Sequence, residues 1–144
     1  MISFTLNNII TKYDGEPGVT LLEYLRHREI FSVKYGCDHG ECGACTVLVD
    51  ERAVNSCLIL MPSLKDKTVE TFEFLNDSAE LTNLQQKFLT TGAIQCGYCT
   101  PGMLLSLVAL FRQNGPPSEQ DVREALAGNL CRCTGHVKPV KAVL

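Results

Sequence analysis

Eight cysteines divide into two complete sets of four along this chain of 144 residues. Cys37, Cys42 and Cys45 form C-x4-C-x2-C with Cys57 following at a distance, and Cys96-x2-Cys99 is answered by Cys131-x-Cys133. In an exported domain so many thiols would read as disulfides. The chain opens Met1-Ile2-Ser3-Phe4, without the charged and then apolar segments of a signal peptide. It is therefore expected to begin here and to act in the cytoplasm, where thiols stay reduced and such spacing points to metal or redox chemistry.

The rest of the composition narrows the partners. A net charge of −3 leaves no basic surplus for a phosphate backbone, so nucleic acid is not expected. The longest apolar stretch, residues 103–111, is interrupted only by Ser106 and falls well short of the roughly 20 residues a membrane span needs.

Periodicity predicts an α+β half followed by a helical half. Residues 2–6 and 9–13 alternate as two strands around Asn7-Asn8, a pair that tolerates the positive φ of a tight hairpin. Thr20 and Glu23 form a capping box ahead of Leu21, Leu22 and Leu25, for a short helix ending near Arg28. A glycine-rich loop then leads to a strand at 46–49, a turn at Asp50-Glu51, a return strand at 53–58 and a last strand at 69–72. Leu81, Leu84, Gln85, Phe88 and Leu89 then keep helical spacing. Thr100-Pro101 reads as an N-cap with proline at the first position of a buried core helix. Ser118 and Asp121 cap another helix, Gly128 is placed to end it, and a final short helix is expected after Thr134. The polar stretch 76–80 divides the chain into domains at 1–76 and 77–144.

The first cysteine set has the spacing of plant-type [2Fe–2S] proteins. Gly36, Gly40 and Gly43 are expected to accept unusual φ/ψ so that backbone N–H groups turn toward sulfur. Zinc is the alternative, although it usually shows two C-x2-C knuckles where this set has one. The second set is less decisive, and a zinc ribbon competes there. Each of its pairs sits at a helix end, where unpaired N–H groups and the helix dipole are expected to lower thiol pKa values.

Three segments carry a resemblance: Gly36-Cys37-Asp38-His39-Gly40-Glu41-Cys42-Gly43-Ala44-Cys45-Thr46-Val47, Gln95-Cys96-Gly97-Tyr98-Cys99-Thr100-Pro101-Gly102-Met103, and Gly128-Asn129-Leu130-Cys131-Arg132-Cys133-Thr134-Gly135. Together they closely resemble the iron–sulfur subunit of the xanthine oxidase family of molybdenum hydroxylases. The resemblance implies a β-grasp ferredoxin-like domain followed by a small four-helix domain, each holding one [2Fe–2S] cluster. It implies that Cys37, Cys42, Cys45 and Cys57 hold the flavin-side, solvent-nearer cluster and that Cys96, Cys99, Cys131 and Cys133 hold the one beside the pterin. Gln95 and the sulfur of Cys133 are then expected to approach the pterin. It further implies a molybdopterin-binding large subunit, with the cofactor as the cytosine dinucleotide, and an FAD-binding medium subunit. This chain would relay electrons from the molybdopterin centre to FAD or another acceptor. The motif departs from the family at His136, where an aromatic is usual, and at Pro139, where an aliphatic is usual.

Other residues have plainer readings. His39 is expected to be a loop histidine rather than a ligand, since its set already holds four cysteines, and His136 to be a packing substitution. Arg132 suits either a sulfur or phosphate contact or a local salt bridge. Lys34, Tyr35 and Asp38 suit an interface or a solvated surface equally. No nucleophile–base constellation, paired catalytic carboxylates or phosphate-binding glycine fingerprint is present, so substrate chemistry is expected on another subunit. A free-standing ferredoxin and a zinc-stabilised adaptor are the competing readings.

Overall fold

The computed structural model describes residues 1–144. Strands β1 (Ile2–Leu6) and β2 (Ile9–Tyr13) pair antiparallel from Ile2↔Tyr13 to Leu6↔Ile9. Asn7 and Asn8 both take positive φ between them, which matches the right-handed twist of the strands they join. Strands β3 (Thr46–Val49) and β4 (Arg52–Asn55) form a second hairpin through Asp50 and Glu51, again both at positive φ. β5 (Thr68–Glu70) joins the two, parallel to β1 and antiparallel to β3, giving the order β2-β1-β5-β3-β4.

Helix α1 (Leu21–His27) carries the expected capping box and buries Leu21, Leu22 and Leu25 against Phe4, Leu6, Val47, Met61, Leu64 and Val69. On β3 the period of two sends Val47 into this core and Leu48 to the opposite face, where it enters the helical core. The sheet thus has helices on both sides, which is why Thr46, Val47 and Leu48 are buried in succession.

The helices are α2 (Phe72–Leu75), α3 (Ala79–Thr91), α4 (Thr100–Asn114), α5 (Glu119–Leu126) and α6 (Val137–Val143). α4 is buried along residues 102–110 because β3, α3 and α5 all pack on it. Ser78 caps α3, Gly92 ends it with a left-handed φ, and Ser118 with Asp121 closes a reciprocal cap on α5. Arg112 of α4 ties the layers together. Its Nη1 donates to Glu70 on β5 at 2.6 Å, and its Nε donates to Glu80 on α3 at 3.2 Å.

Several expectations need correction. The return strand stops at Asn55, not 58, because Ser56 donates its hydroxyl to the Cys45 carbonyl at 2.7 Å and turns the chain into a 3-10 turn, Ser56–Leu58. The strand expected at 69–72 ends at Glu70. There the side chain of Asn7 accepts from the Thr71 amide at 2.9 Å, and Phe72 begins α2. Cys99, not Thr100, is the N-cap of α4, so Pro101 stands one position further in. Gly128 does not close α5 with a left-handed turn, since the helix ends at Leu126 and Ala127 caps it in right-handed conformation. No helix is long and apolar enough to cross a membrane.

Candidate metal centres

The first set lies where the loop after α1 meets the end of the sheet. Cys45 immediately precedes β3 and Cys57 sits in the turn after β4, so the hairpin carries both into the buried end of the loop. Cys37 and Cys42 hang from the loop itself, half-buried. Its backbone curls around sulfur: the N–H groups of Glu41 and Cys42 donate to Cys37 Sγ at 3.2 and 3.3 Å, and that of Ala44 to Cys42 Sγ at 3.5 Å. Asp38, Gly40 and Gly43 supply the positive φ that this curl requires. Gly36 does not, contrary to expectation. It is needed for space, because a Cβ there would stand 2.3 Å from Cys42 Sγ.

The second set joins the segment before α4 to the segment between α5 and α6. Cys96 and Cys133 are exposed, and Cys99 and Cys131 half-buried. Thr134 donates to Cys131 Sγ from its amide at 3.4 Å and its hydroxyl at 3.1 Å. Gln95, itself exposed, donates to the Cys133 carbonyl at 3.3 Å and links the two segments. In the chain by itself the first set is the more enclosed of the two, with Cys45 and Cys57 only 3% and 6% exposed. The sheet and α1 enclose them, whereas the second set stands where helix ends leave the bundle.

The four thiols of each set influence one another's protonation, Cys42 acting on Cys37, Cys45 on Cys57, Cys133 on Cys96 and Cys131 on Cys99. Amide donors turned onto sulfur, together with the C-x4-C-x2-C spacing, fit an iron–sulfur cluster better than a zinc site, which usually shows two C-x2-C knuckles.

The electrostatics are uneven within each set. Amide hydrogen bonds from His39 and Cys42 lower the Cys37 thiol to about 6. The Tyr98 amide and the Cys133 thiol lower Cys96. Burial raises Cys131, but Thr134 outweighs it and the net direction is down. Burial pushes Cys57 and Cys99 up to about 12. Cys99 corrects the simple helix-dipole expectation, since at the N-cap of α4 desolvation wins. Metal binding at these two positions must displace a proton.

The two sets are bridged directly. The Leu130 amide, one residue before Cys131, donates to the Cys42 carbonyl at 2.8 Å. Beside it the buried Asn129 donates to the Gly43 carbonyl at 3.1 Å and to Thr46 Oγ1 at 3.2 Å, and accepts from Ser106 Oγ at 2.8 Å. On the other side the Tyr98 hydroxyl donates to the Tyr35 carbonyl, and Lys34 Nζ lies 5.2 Å from the Tyr98 ring centroid. Sequence reasoning missed Asn129. The signal for it was Ser106, a polar residue inside the apolar run of α4.

The remaining singled-out residues fall into place. His39 is exposed and pairs with Glu41 at 3.1 Å. Arg132 is exposed and makes no ion pair within the chain. His136 takes a left-handed φ of 65° as the N-cap of α6, and Pro139 is buried in that helix.

A β-sheet bearing one four-cysteine set, followed by helices bearing a second, defines a protein with two iron–sulfur domains. Residues 4–81 match the 2Fe-2S iron-sulfur cluster binding domain and residues 71–144 the [2Fe-2S] binding domain. The chain is 42% identical, over 99% of its length and 91% of the relative's, to the xanthine dehydrogenase iron-sulfur-binding subunit of Escherichia coli O157:H7. It is 43% identical over the same shares to the nicotinate dehydrogenase small FeS subunit of Eubacterium barkeri. Among solved structures, quinoline 2-oxidoreductase from Pseudomonas putida 86 superposes with a TM-score of 0.90 at 38% identity, covering 99% of this chain and 88% of that one. The aldehyde oxidoreductase of Desulfovibrio gigas gives a TM-score of 0.90 at 33% identity, with this chain covering 16% of its length. The chain belongs to the family of iron–sulfur subunits of xanthine dehydrogenase-type oxidoreductases.

Proposed function

We propose that this chain is the electron-transfer subunit of a molybdenum hydroxylase, standing between a molybdopterin-binding large subunit and an FAD-binding medium subunit. Cys37, Cys42, Cys45 and Cys57 hold one [2Fe–2S] cluster, and Cys96, Cys99, Cys131 and Cys133 hold the other. The clusters, when bound, supply one-electron redox chemistry. The observation that carries this reading is the set of hydrogen-bond donors aimed at cysteine sulfur in both sets, from Glu41, Cys42 and Ala44 in the first and from Thr134 in the second.

The chain's own residues hold, shield and orient. The Glu41, Cys42, Ala44 and Thr134 donors stabilise negative charge on sulfur, which is one of the protein's means of setting a potential. Cys96, Cys133 and Gln95 form the exposed rim of the second set, the side on which a partner's cofactor can come close. Relatives of nearly equal identity serve a xanthine dehydrogenase and a nicotinate dehydrogenase, which supports a substrate choice made on another subunit.

Metal and sulfide analysis of the purified complex tests this. Four irons and four sulfides per chain, with two distinct [2Fe–2S] signals in the fully reduced state, are expected. Stoichiometric zinc, or a single cluster signal, would overturn it. Cys57→Ala is expected to abolish the first signal and leave the second.

A further inference from the structure

We infer that Asn129 is a positioning residue that fixes the spacing of the two metal centres. It acts by clamping the first cysteine loop to α4 and to the segment entering Cys131. This rests on the cysteine assignment proposed above.

Asn129 is 3% exposed and carries no charge, and its side chain hydrogen-bonds three groups from two other parts of the chain. Gly43 O and Thr46 Oγ1 belong to the segment holding Cys42 and Cys45. Ser106 belongs to the helix that Cys99 caps. Asn129 itself stands two residues before Cys131. One amide thus reaches the backbone around both sets without touching a sulfur.

The packing around it leaves no slack. A Cβ on Gly43 would lie 2.3 Å from the Gly128 carbonyl and 2.6 Å from Asn129 Nδ2, and a Cβ on Gly102 would lie 2.5 Å from the Gly43 carbonyl. Two glycines therefore let the first loop, α4 and the 128–130 segment come into backbone contact. The direct link between ligand segments, Leu130 N–H to Cys42 carbonyl, lies in this contact. An apolar side chain at 129 would leave Ser106 Oγ without its partner in a buried site, and Gly43 O would keep only donors from its own loop, the Thr46 amide and hydroxyl, so the side-chain tie between the segments is lost. The asparagine geometry is specific. An aspartate keeps the acceptor for Ser106 but loses both donations and brings a charge against the Gly43 carbonyl.

The test uses the whole complex, purified with its partner subunits and fully reduced with dithionite. Two reduced clusters at a fixed distance split each other's spin-resonance lines, and the splitting reports that distance. In Asn129→Ala and Asn129→Asp we expect four irons per chain, loss of the single resolved splitting to a broadened one, and faster hydrogen exchange at the Leu130 amide. Unchanged splitting in both variants overturns the inference. Loss of one cluster in both also overturns it, because Asn129 would then support cluster retention rather than spacing. If only the alanine variant loses a cluster, the aspartate variant decides by the same reading of its splitting. Failure of the unmodified complex to show two interacting clusters would overturn the ligand assignment instead, and the spacing role with it.

Discussion

Three glycines near the centres have three different reasons to be glycine. Gly43 combines a φ of 70° with backbone contact to Gly128, so Gly43→Ala meets both strain and overlap. Gly102 has ordinary helical φ, and only the Gly43 carbonyl forbids its Cβ. Gly128 has neither problem, with nothing within 4 Å of its Cβ position. We expect Gly43→Ala and Gly102→Ala each to destabilise by about 1–3 kcal/mol through strain and overpacking. Gly128→Ala is expected to be neutral or stabilising by about 0.5 kcal/mol through the unfolded state. Thermal unfolding of the three variants side by side checks the ordering. All three glycines stand out in the sequence as motif residues. Which of them is conformational and which is steric depends on what lies opposite, and that is set by residues 27 to 86 positions away.

At the scale of elements, local signals and long-range overrides separate cleanly. Capping boxes at Thr20 and Ser118 and the asparagine hairpin turn are complete within a few residues, so they are legible without the fold. The short helix α2 was not legible, because residues 69–72 satisfy a strand pattern and only the tertiary contact of Thr71 with Asn7 ends it. α2 is also docked from a distance. Glu73 accepts from the Ser32 amide at 2.9 Å and from its hydroxyl at 2.6 Å. Burial raises the Glu73 carboxyl, but the Ser32 donors and its neighbours outweigh it and hold it below the ordinary glutamate value. A carboxyl lowered in the folded state stabilises above its unfolded pKa and loses that contribution as pH falls through its folded one. Wild type is therefore expected to lose its stability advantage over Glu73→Gln as pH falls below about 4.5, the ordinary glutamate value. Urea midpoints of both proteins across that range check this. A difference independent of pH would remove the carboxylate from the account.

The molecule as a whole has two apolar cores that meet at one strand. Val47 and Leu48 are neighbours in sequence and belong to different cores, so β3 couples them. Leu48→Ala is expected to cost about 2–5 kcal/mol and to lower the unfolding temperature of both halves together, read by one coincident transition in helix and sheet signals. The first cysteine loop is expected to depend on metal instead. Residues 36–45 have few buried side chains besides Ala44 and Cys45, and metal binding in such a site is folding energy. Removing iron should leave the cores protected from hydrogen exchange and release 36–45. Equal protection of that loop with and without iron would refute this.

Cysteine number, spacing and order, the two capping boxes and the change from period two to period 3.6 were sufficient to specify two four-thiol sites on an α+β chain, because each is a local relation along the backbone. What belongs to tertiary structure is which thiols are desolvated, which set is exposed, and what joins the two. Burial raises Cys99 against the helix dipole, the sheet hides Cys45 and Cys57, and Asn129 reaches Gly43 across 86 residues. Those outcomes depend on desolvation and on packing between distant segments, and neither quantity exists until the chain has closed on itself.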